Sequence, residues 1–258
     1  MLGAIIGDII GSTYEFDKVK TKDFDLFESE ADFTDDTVLT VATADAILNN
    51  KTYLDVYKTY PKKYPNRGYG GSFYNWVENK KSEPYESFGN GSAMRVAPIG
   101  WAFDTLEQVL EEAKKSAEVT HNHPEGIKGA QAVASAVFLA RNGFSKEEIE
   151  KYLETEFGYD LYRFIDEVRL TTAGDSSCMK SVPEAIICFL ESNSFEDAIR
   201  NAVSLGGDAD TQACIAGAIA EAFYKEIPKE FKRKASTLLD KDLIATVKQF
   251  REKFNIKS

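Results

Sequence analysis

Two short acidic stretches dominate the chemistry this sequence could perform. One is Phe33-Thr34-Asp35-Asp36-Thr37; the other is Gly206-Gly207-Asp208-Ala209-Asp210-Thr211. Each runs directly into small and apolar residues at helical spacing. A single Asp-x-Asp-Thr is most simply an N-cap, because Asp and Thr oxygens accept the free N–H groups of a first turn. A cap needs only one oxygen, and here the acids are doubled at both places. Four aspartates drawn into one pocket cannot all stay ionised unless cations balance them. The pairing therefore predicts a chain that folds back and clasps one or two divalent ions between the clusters. The donors are hard oxygens with no thiolate or imidazole beside them. Such a set selects Mg2+, Mn2+ or Ca2+ over zinc or copper. Several shared carboxylates suit two ions about 3.5–4 Å apart, which can activate water and hold substrate oxygens.

Other reactive residues are less telling by themselves. In Gly7-Asp8-Ile9-Ile10-Gly11-Ser12-Thr13-Tyr14-Glu15, Asp8 reads as a buried hydrogen-bonding group and Glu15 as a solvated acid. Ser87-Phe88-Gly89-Asn90-Gly91-Ser92-Ala93-Met94-Arg95 is a glycine loop entering a helix. Its free N–H groups can hold a phosphate, or simply form a turn and a cap. Both histidines lie in Thr120-His121-Asn122-His123-Pro124. An H-x-H pair invites a metal; the ordinary reading has one histidine capping the helix at Pro124 and the other exposed. Gly174-Asp175-Ser176-Ser177-Cys178 is not a nucleophile elbow, since its fifth residue is not glycine. A Cys178–His121 nucleophile pair has nothing nearby to support it. Cys188 and Cys214 fall in apolar helical stretches and read as core. Trp76, Trp101 and the tyrosines read as packing.

Positioning these groups requires helices almost throughout. Gly3, Gly7 and Gly11 recur every fourth residue, so they share a helix face that another backbone can approach closely. A helix is expected from 36 or 37 to about 48, with Val38, Leu39, Val41, Ala42 and Leu48 inward. Asp104 with Glu107 predicts a capped helix to about 118. Pro124 fits a first helical position with Gly143 as the following stop, and Ser145 with Glu148 forms a capping box. Further helices are expected over 183–191, 195–204, 210–226, 229–239 and 242–254. Glycine clusters at 66–72 and 88–92 mark loops. No run alternates with the period of a strand. The fold class is all-α, a compact orthogonal bundle of many short helices.

The chain has 258 residues and no linker-like stretch, so one domain over 1–258 is expected. A domain of this size needs no metal or disulfide staple, which makes a metal functional. Three cysteines, an odd number without CxxC spacing and with no basic leader, point to a reducing cytoplasm. The net charge of −11 argues against bulk nucleic-acid or membrane-surface binding. Any anionic substrate would need a local cation or helix N-terminus. The apolar run 1–11 is too short to cross a bilayer and carries Asp8.

The glycine-faced start with Glu15, the Phe33–Thr37 acids, the Ser87–Arg95 loop, the histidine motif and Gly206-Gly207-Asp208-Ala209-Asp210-Thr211-Gln212-Ala213-Cys214 together resemble the ADP-ribosylglycohydrolase family. That family includes dinitrogenase-reductase-activating glycohydrolases and the ADP-ribosylserine and ADP-ribosylarginine hydrolases. The motifs keep the family's order over residues 3–221. The resemblance implies an all-α fold around a binuclear Mg2+ or Mn2+ centre. It implies Thr34, Asp35, Asp36, Asp208, Asp210 and Thr211 as metal ligands, with Glu15 as the acid that closes over them. It places Ser87, Gly89, Asn90 and Gly91 along the diphosphate and distal ribose, Phe88 beside adenine, and His121 on phosphate or ribose. Catalysis would fall to Glu15, Asp35 and Asp36. Ser87 stands where arginine-directed members can carry an acid, which weighs against an arginine acceptor. The implied partner is an ADP-ribosylated protein or another ADP-ribose conjugate. A non-catalytic ADP-ribose-binding relative and a metal-dependent phosphoesterase are the competing readings.

Overall fold

The computed structural model of the chain describes residues 1–257. Among these residues no β-strand forms; the only extended pairing is an isolated bridge between Gly89 and Ser177. The all-α expectation holds.

The centre of the fold is a pair of helices with no exposed face. In α1 (Leu2–Gly11) every residue after Leu2 is buried, and α13 (Ala209–Tyr224) is buried from Ala209 to Ala222. A helix apolar on all sides must sit inside the molecule. The glycine repeat explains how the two meet. A β-carbon at Gly7 would lie 2.0 Å from the Ala213 carbonyl oxygen, and one at Gly3 would lie 2.2 Å from that of Gly217. At Gly11 it would lie 2.4 Å from the Ala209 oxygen. The helices therefore touch backbone to backbone, and the acid-bearing start of α13 is held against the end of α1.

A 3-10 turn (Ser12–Tyr14) follows α1, and an irregular strap leads to α2 (Asp35–Asn49). The expected inward stripe of α2 is buried at Val38, Leu39, Val41 and Ala42 and half-buried at Leu48. Next come α3 (Tyr53–Lys63), α4 (Gly71–Glu78), and the short α5 (Gly91–Met94) and α6 (Ala97–Ala102). Helix α7 (Leu106–Glu118) is capped by Thr105, whose side chain accepts from the Gln108 N–H, and not by Asp104. Helix α8 (Pro124–Arg141) opens on its proline as expected. The Ser145 capping box starts α9 (Lys146–Phe157), which ends on left-handed Gly158. After α10 (Ile165–Thr171), helix α11 (Cys178–Leu190) begins well before Pro183, which lies inside it. A tertiary bond from the Cys178 N–H to the Phe88 carbonyl, 2.8 Å, extends its start. Helices α12 (Phe195–Val203), α14 (Lys229–Leu238) and α15 (Lys241–Lys253) fall close to expectation. One hydrophobic cluster joins side chains from Met1 to Ile256. No helix among the described residues is long and apolar enough to cross a membrane.

Candidate metal centre and adjoining cavity

The two acidic stretches meet. Carboxylate oxygens of Asp8, Asp36 and Asp210 all lie within 4.8 Å of one another, and so do those of Glu15, Asp208 and Asp210. Three helix segments supply them: α1 gives Asp8, the first turn of α2 gives Asp36, and the start of α13 gives Asp208 and Asp210. Glu15 follows the 3-10 turn and is half-buried. Asp35 lines the cavity beside the cluster. Capping does not account for these acids. The cap of α2 is Thr34, whose hydroxyl accepts from the Asp36 N–H at 3.3 Å. Asp208 occupies the N-cap position of α13 without a capping bond.

Asp8 organises the cluster and was missed as a site residue by the sequence reading. Its carboxylate accepts from the Thr34 N–H (3.0 Å) and hydroxyl (2.6 Å), and from the Thr37 N–H (3.1 Å) and hydroxyl (2.5 Å). It thereby ties α1 to the first turn of α2. Its expected role as a buried hydrogen-bonding group is correct; its place among the converging acids had no sequence signal apart from its charge in an apolar run.

The donor set fits a hard cation. Asp36 Oδ2 accepts from the Thr211 hydroxyl at 3.1 Å, while the buried Asp36 Oδ1 has no hydrogen-bond partner. A buried carboxylate oxygen without a donor is costly, and a cation removes that cost. The hydroxyls of Thr34 and Thr211 donate to Asp8 and Asp36, so each retains a lone pair for a metal. Burial, reinforced by neighbouring carboxylates, pushes Asp35, Asp36 and Asp210 well above the ordinary aspartate range. Burial raises Asp8 to about 6 despite its four hydrogen bonds. Burial and the charges of Asp208 and Asp8 raise Glu15. The site is thus held against its own charge, which either protons or metal ions would offset.

A cavity of about 320 Å³ opens beside the acids. Ser87, Gly89, Asn90, Gly91 and His121 line it together with Asp35, Asp36, Asp208, Asp210 and Thr211. Asn90 joins the two halves: its Nδ2 donates to Asp208 Oδ2 at 2.6 Å and to Ser181 Oγ at 2.9 Å. Ser87 Oγ accepts from the Gly89 N–H at 3.2 Å. Phe88 is not among the lining residues; it is half-exposed and sets an edge against the His123 ring, centroids 5.4 Å apart. Of the two histidines, His123 is the cap of α8, accepting from the Glu125 N–H at 3.1 Å. His121 is buried on the cavity wall, and burial with the nearby Arg95 charge holds it well below its usual range, so it is neutral. Cys178 gives its thiol to the Gly89 carbonyl at 3.1 Å, and burial pushes it up to about 12, which removes it as a nucleophile. Gly68, Gly70, Gly71, Ser72, Phe73 and Ser176 line another part of the cavity, from stretches that also hold α3, α4 and α10. Tyr85 and Arg95 complete the wall. Arg95 closes the glycine-loop motif in sequence; for Tyr85 there was no signal.

Fold and site define an all-helical protein with a cluster of carboxylates that could hold a cation next to a polar cleft. The sequence profile described as ADP-ribosylglycohydrolase matches residues 1–256, and the chain belongs to that family. It is 28% identical to ADP-ribosylhydrolase ARH3 of Mus musculus over 95% of this chain and 88% of that protein. Over 92% of this chain and 73% of the other, it is 26% identical to the ADP-ribosylarginine hydrolase Tri1 of Pseudomonas putida. A solved structure titled ADP-ribosylglycohydrolase-related protein complex superposes with a TM-score of 0.74, covering all of this chain and 96% of that one. At 23% identity that likeness speaks for the fold alone.

Proposed function

We propose that this protein hydrolyses the bond between C1″ of the distal ribose of ADP-ribose and an acceptor, releasing ADP-ribose. The observation that carries the reading is the convergence of Glu15, Asp36, Asp208 and Asp210 on one edge of a cavity walled by a glycine loop. Thr34, Asp35, Asp36, Asp208, Asp210 and Thr211 would hold two Mg2+ or Mn2+ ions. Bound there, the cations supply positive charge for the anionic diphosphate and polarise oxygens that reach them. This answers how a chain of net charge −11 can accept an anion.

The chain's own groups divide the remaining work. The N–H groups of Gly89 and Gly91, with Ser87 and His121, would bind the diphosphate and ribose. Phe88, exposed beside His123, would reach the adenine. Glu15 or Asp36 takes a proton from the attacking water as its oxygen bonds to C1″. The bond from C1″ to the acceptor breaks through an oxocarbenium-like state, and its electron pair leaves with the acceptor, which is protonated from a nearby acid. The acceptor is an ADP-ribosylated protein side chain or a related conjugate. Three free, buried cysteines suit a cytoplasmic setting.

The test offers purified protein and Mg2+ or Mn2+ a panel of ADP-ribosylated peptides and nucleic acids, and measures the product. Free ADP-ribose is expected, lost with chelator and in Asp35→Asn and Asp210→Asn while helical content is kept. AMP as product would instead mark a phosphoesterase. Tight ADP-ribose binding without turnover would mark a non-catalytic relative.

A further inference from the structure

One buried cation on the cavity wall has no counter-charge. Arg95 is fully buried and lines the cavity, and no ion pair among the described residues includes it. Its guanidinium lies 4.0 Å over the Tyr57 ring. Nη2 donates to the Ser116 carbonyl at 2.7 Å and to Thr120 Oγ1 at 3.1 Å, while Nε and Nη1 have no partner. An unpaired buried charge is expensive, so its retention calls for a use. Thr120 Oγ1, also buried, lies 2.7 Å from Nδ1 of His121.

The direction of these bonds can be counted. A guanidinium only donates, so Thr120 Oγ1 accepts from Arg95. The threonine hydroxyl has one hydrogen to give, and its only partner for it among the described residues is His121 Nδ1. Nδ1 must then accept, because a hydrogen there would leave the buried threonine hydrogen unsatisfied. The neutral imidazole carries its one hydrogen on the other nitrogen. That nitrogen faces the glycine loop: a β-carbon at Gly91 would lie 3.2 Å from Nε2, and one at Gly89 3.7 Å. Side chains at those positions would cover it.

We propose that Arg95 and Thr120 act as positioning residues that fix His121 in the Nε2–H tautomer, so the cavity wall presents a neutral donor to an oxygen of the ligand. Arg95 sets the polarity of the relay and Thr120 transmits it. The class of ligand, a phosphate or ribose oxygen, rests on the glycohydrolase reading above; the tautomer does not.

The chain has only two histidines, which makes the test direct. Full-length protein labelled with 15N-histidine and freed of metal is examined by two-bond 1H–15N correlation, with His123→Asn used for assignment. His121 is expected to show a bare Nδ1 and a protonated Nε2 in the wild type and in Thr120→Ser. In Thr120→Val an Nδ1–H form should appear, and KM for an ADP-ribosylated peptide should rise about tenfold, with a smaller change in kcat. A protonated Nδ1 in the wild type overturns the proposal and needs no variant to fold. So does an unchanged His121 pattern in a folded Thr120→Val protein. Hydrolysis measured on the same proteins after Mg2+ or Mn2+ is restored separates the two readings. A wild type with the Nε2–H form but no ADP-ribose release would uphold the relay and remove the glycohydrolase.

Discussion

At the scale of single residues, the site is a set of carboxyls competing for protons and cations. Asp8 is raised to about 6 by burial, against its bonds from Thr34 and Thr37, and Asp35, Asp36 and Asp210 are raised well above the ordinary value by burial first and neighbouring carboxylates second. A carboxyl whose folded pKa is raised contributes stability below its unfolded value of about 3.9, and that contribution is lost as pH rises through the folded value. Without metal, these acids therefore destabilise the fold progressively as pH rises from the unfolded value through their folded values, which is about 6 for Asp8. His121 has the opposite sign, because its lowered folded pKa costs stability once pH falls below about 6.5. Comparing protein with and without cation at each pH cancels that background. Mg2+ or Mn2+ is expected to raise Tm most at pH 7 and above, with the rise shrinking as pH falls through 6 and protons take the same oxygens. Thermal denaturation at pH 5, 6, 7 and 8, with cation or chelator, checks this. A cation effect independent of pH would contradict the shared-oxygen picture. The sequence exposed most of these residues, because charge doubling at a helix start has no structural purpose. It did not expose Asp8, since one acid in an apolar helix looks the same whether it holds a threonine or faces a metal.

At the scale of elements, the centre depends on how closely α1 and α13 pack. The glycine spacing was legible because every fourth residue shares a face, and the near contact of Gly7 with the Ala213 backbone is its consequence. Gly7→Ala is expected to push the helices apart, costing about 3 kcal/mol or more, because rigid backbone and not a flexible side-chain end stands 2.0 Å from the new carbon. Cation binding should weaken with it, since Asp8 and Asp210 ride on these helices. Gly71→Ala is the control: nothing lies within 4 Å, so stability should change by no more than about 1 kcal/mol. Urea denaturation and cation titration of both variants check the pair. Equal stabilities would remove the close-packing argument. The elements that escaped the sequence reading had weaker signals. Helix α3 buries only Val56, Tyr57 and Pro61 and carries that proline inside it, while α10 buries only Ile165 and Val168. Their tertiary setting, not their periodicity, makes them helical. Asp104 misled because Thr105 beside it is an equally good cap.

Across the whole molecule, the central helix pair carries opposite electrostatic situations at its two ends. Acids crowd the end with Asp8 and Asp210. At the other end Glu221 is fully buried yet matched: it accepts from the Met1 ammonium at 2.5 Å, the Gly3 N–H at 2.8 Å and Arg251 at 2.6 Å. Burial alone would raise this carboxyl, but the Met1 and Arg251 charges outweigh it and hold it down at about 2. Burial also lowers the Met1 ammonium, against the pull of Glu221; with Arg251 present, the carboxylate keeps a counter-charge even where that amine loses its proton. A depressed folded pKa contributes stability above the unfolded value of about 4.3, and that contribution is lost as pH falls toward the folded value. The acid end gains from added protons and this end loses by them, so the two halves of one helix pair answer pH in opposite directions. Glu221→Gln leaves Arg251 and the amine facing a neutral amide and is expected to cost about 3–5 kcal/mol near neutral pH. The difference from wild type should persist down to about pH 4 and close as the wild-type carboxylate is protonated below it. Chemical denaturation of both proteins from pH 7 to pH 2.5 gives the comparison. A difference constant across that range would mean that packing at Glu221, and not its charge, holds the far end of the helix pair together.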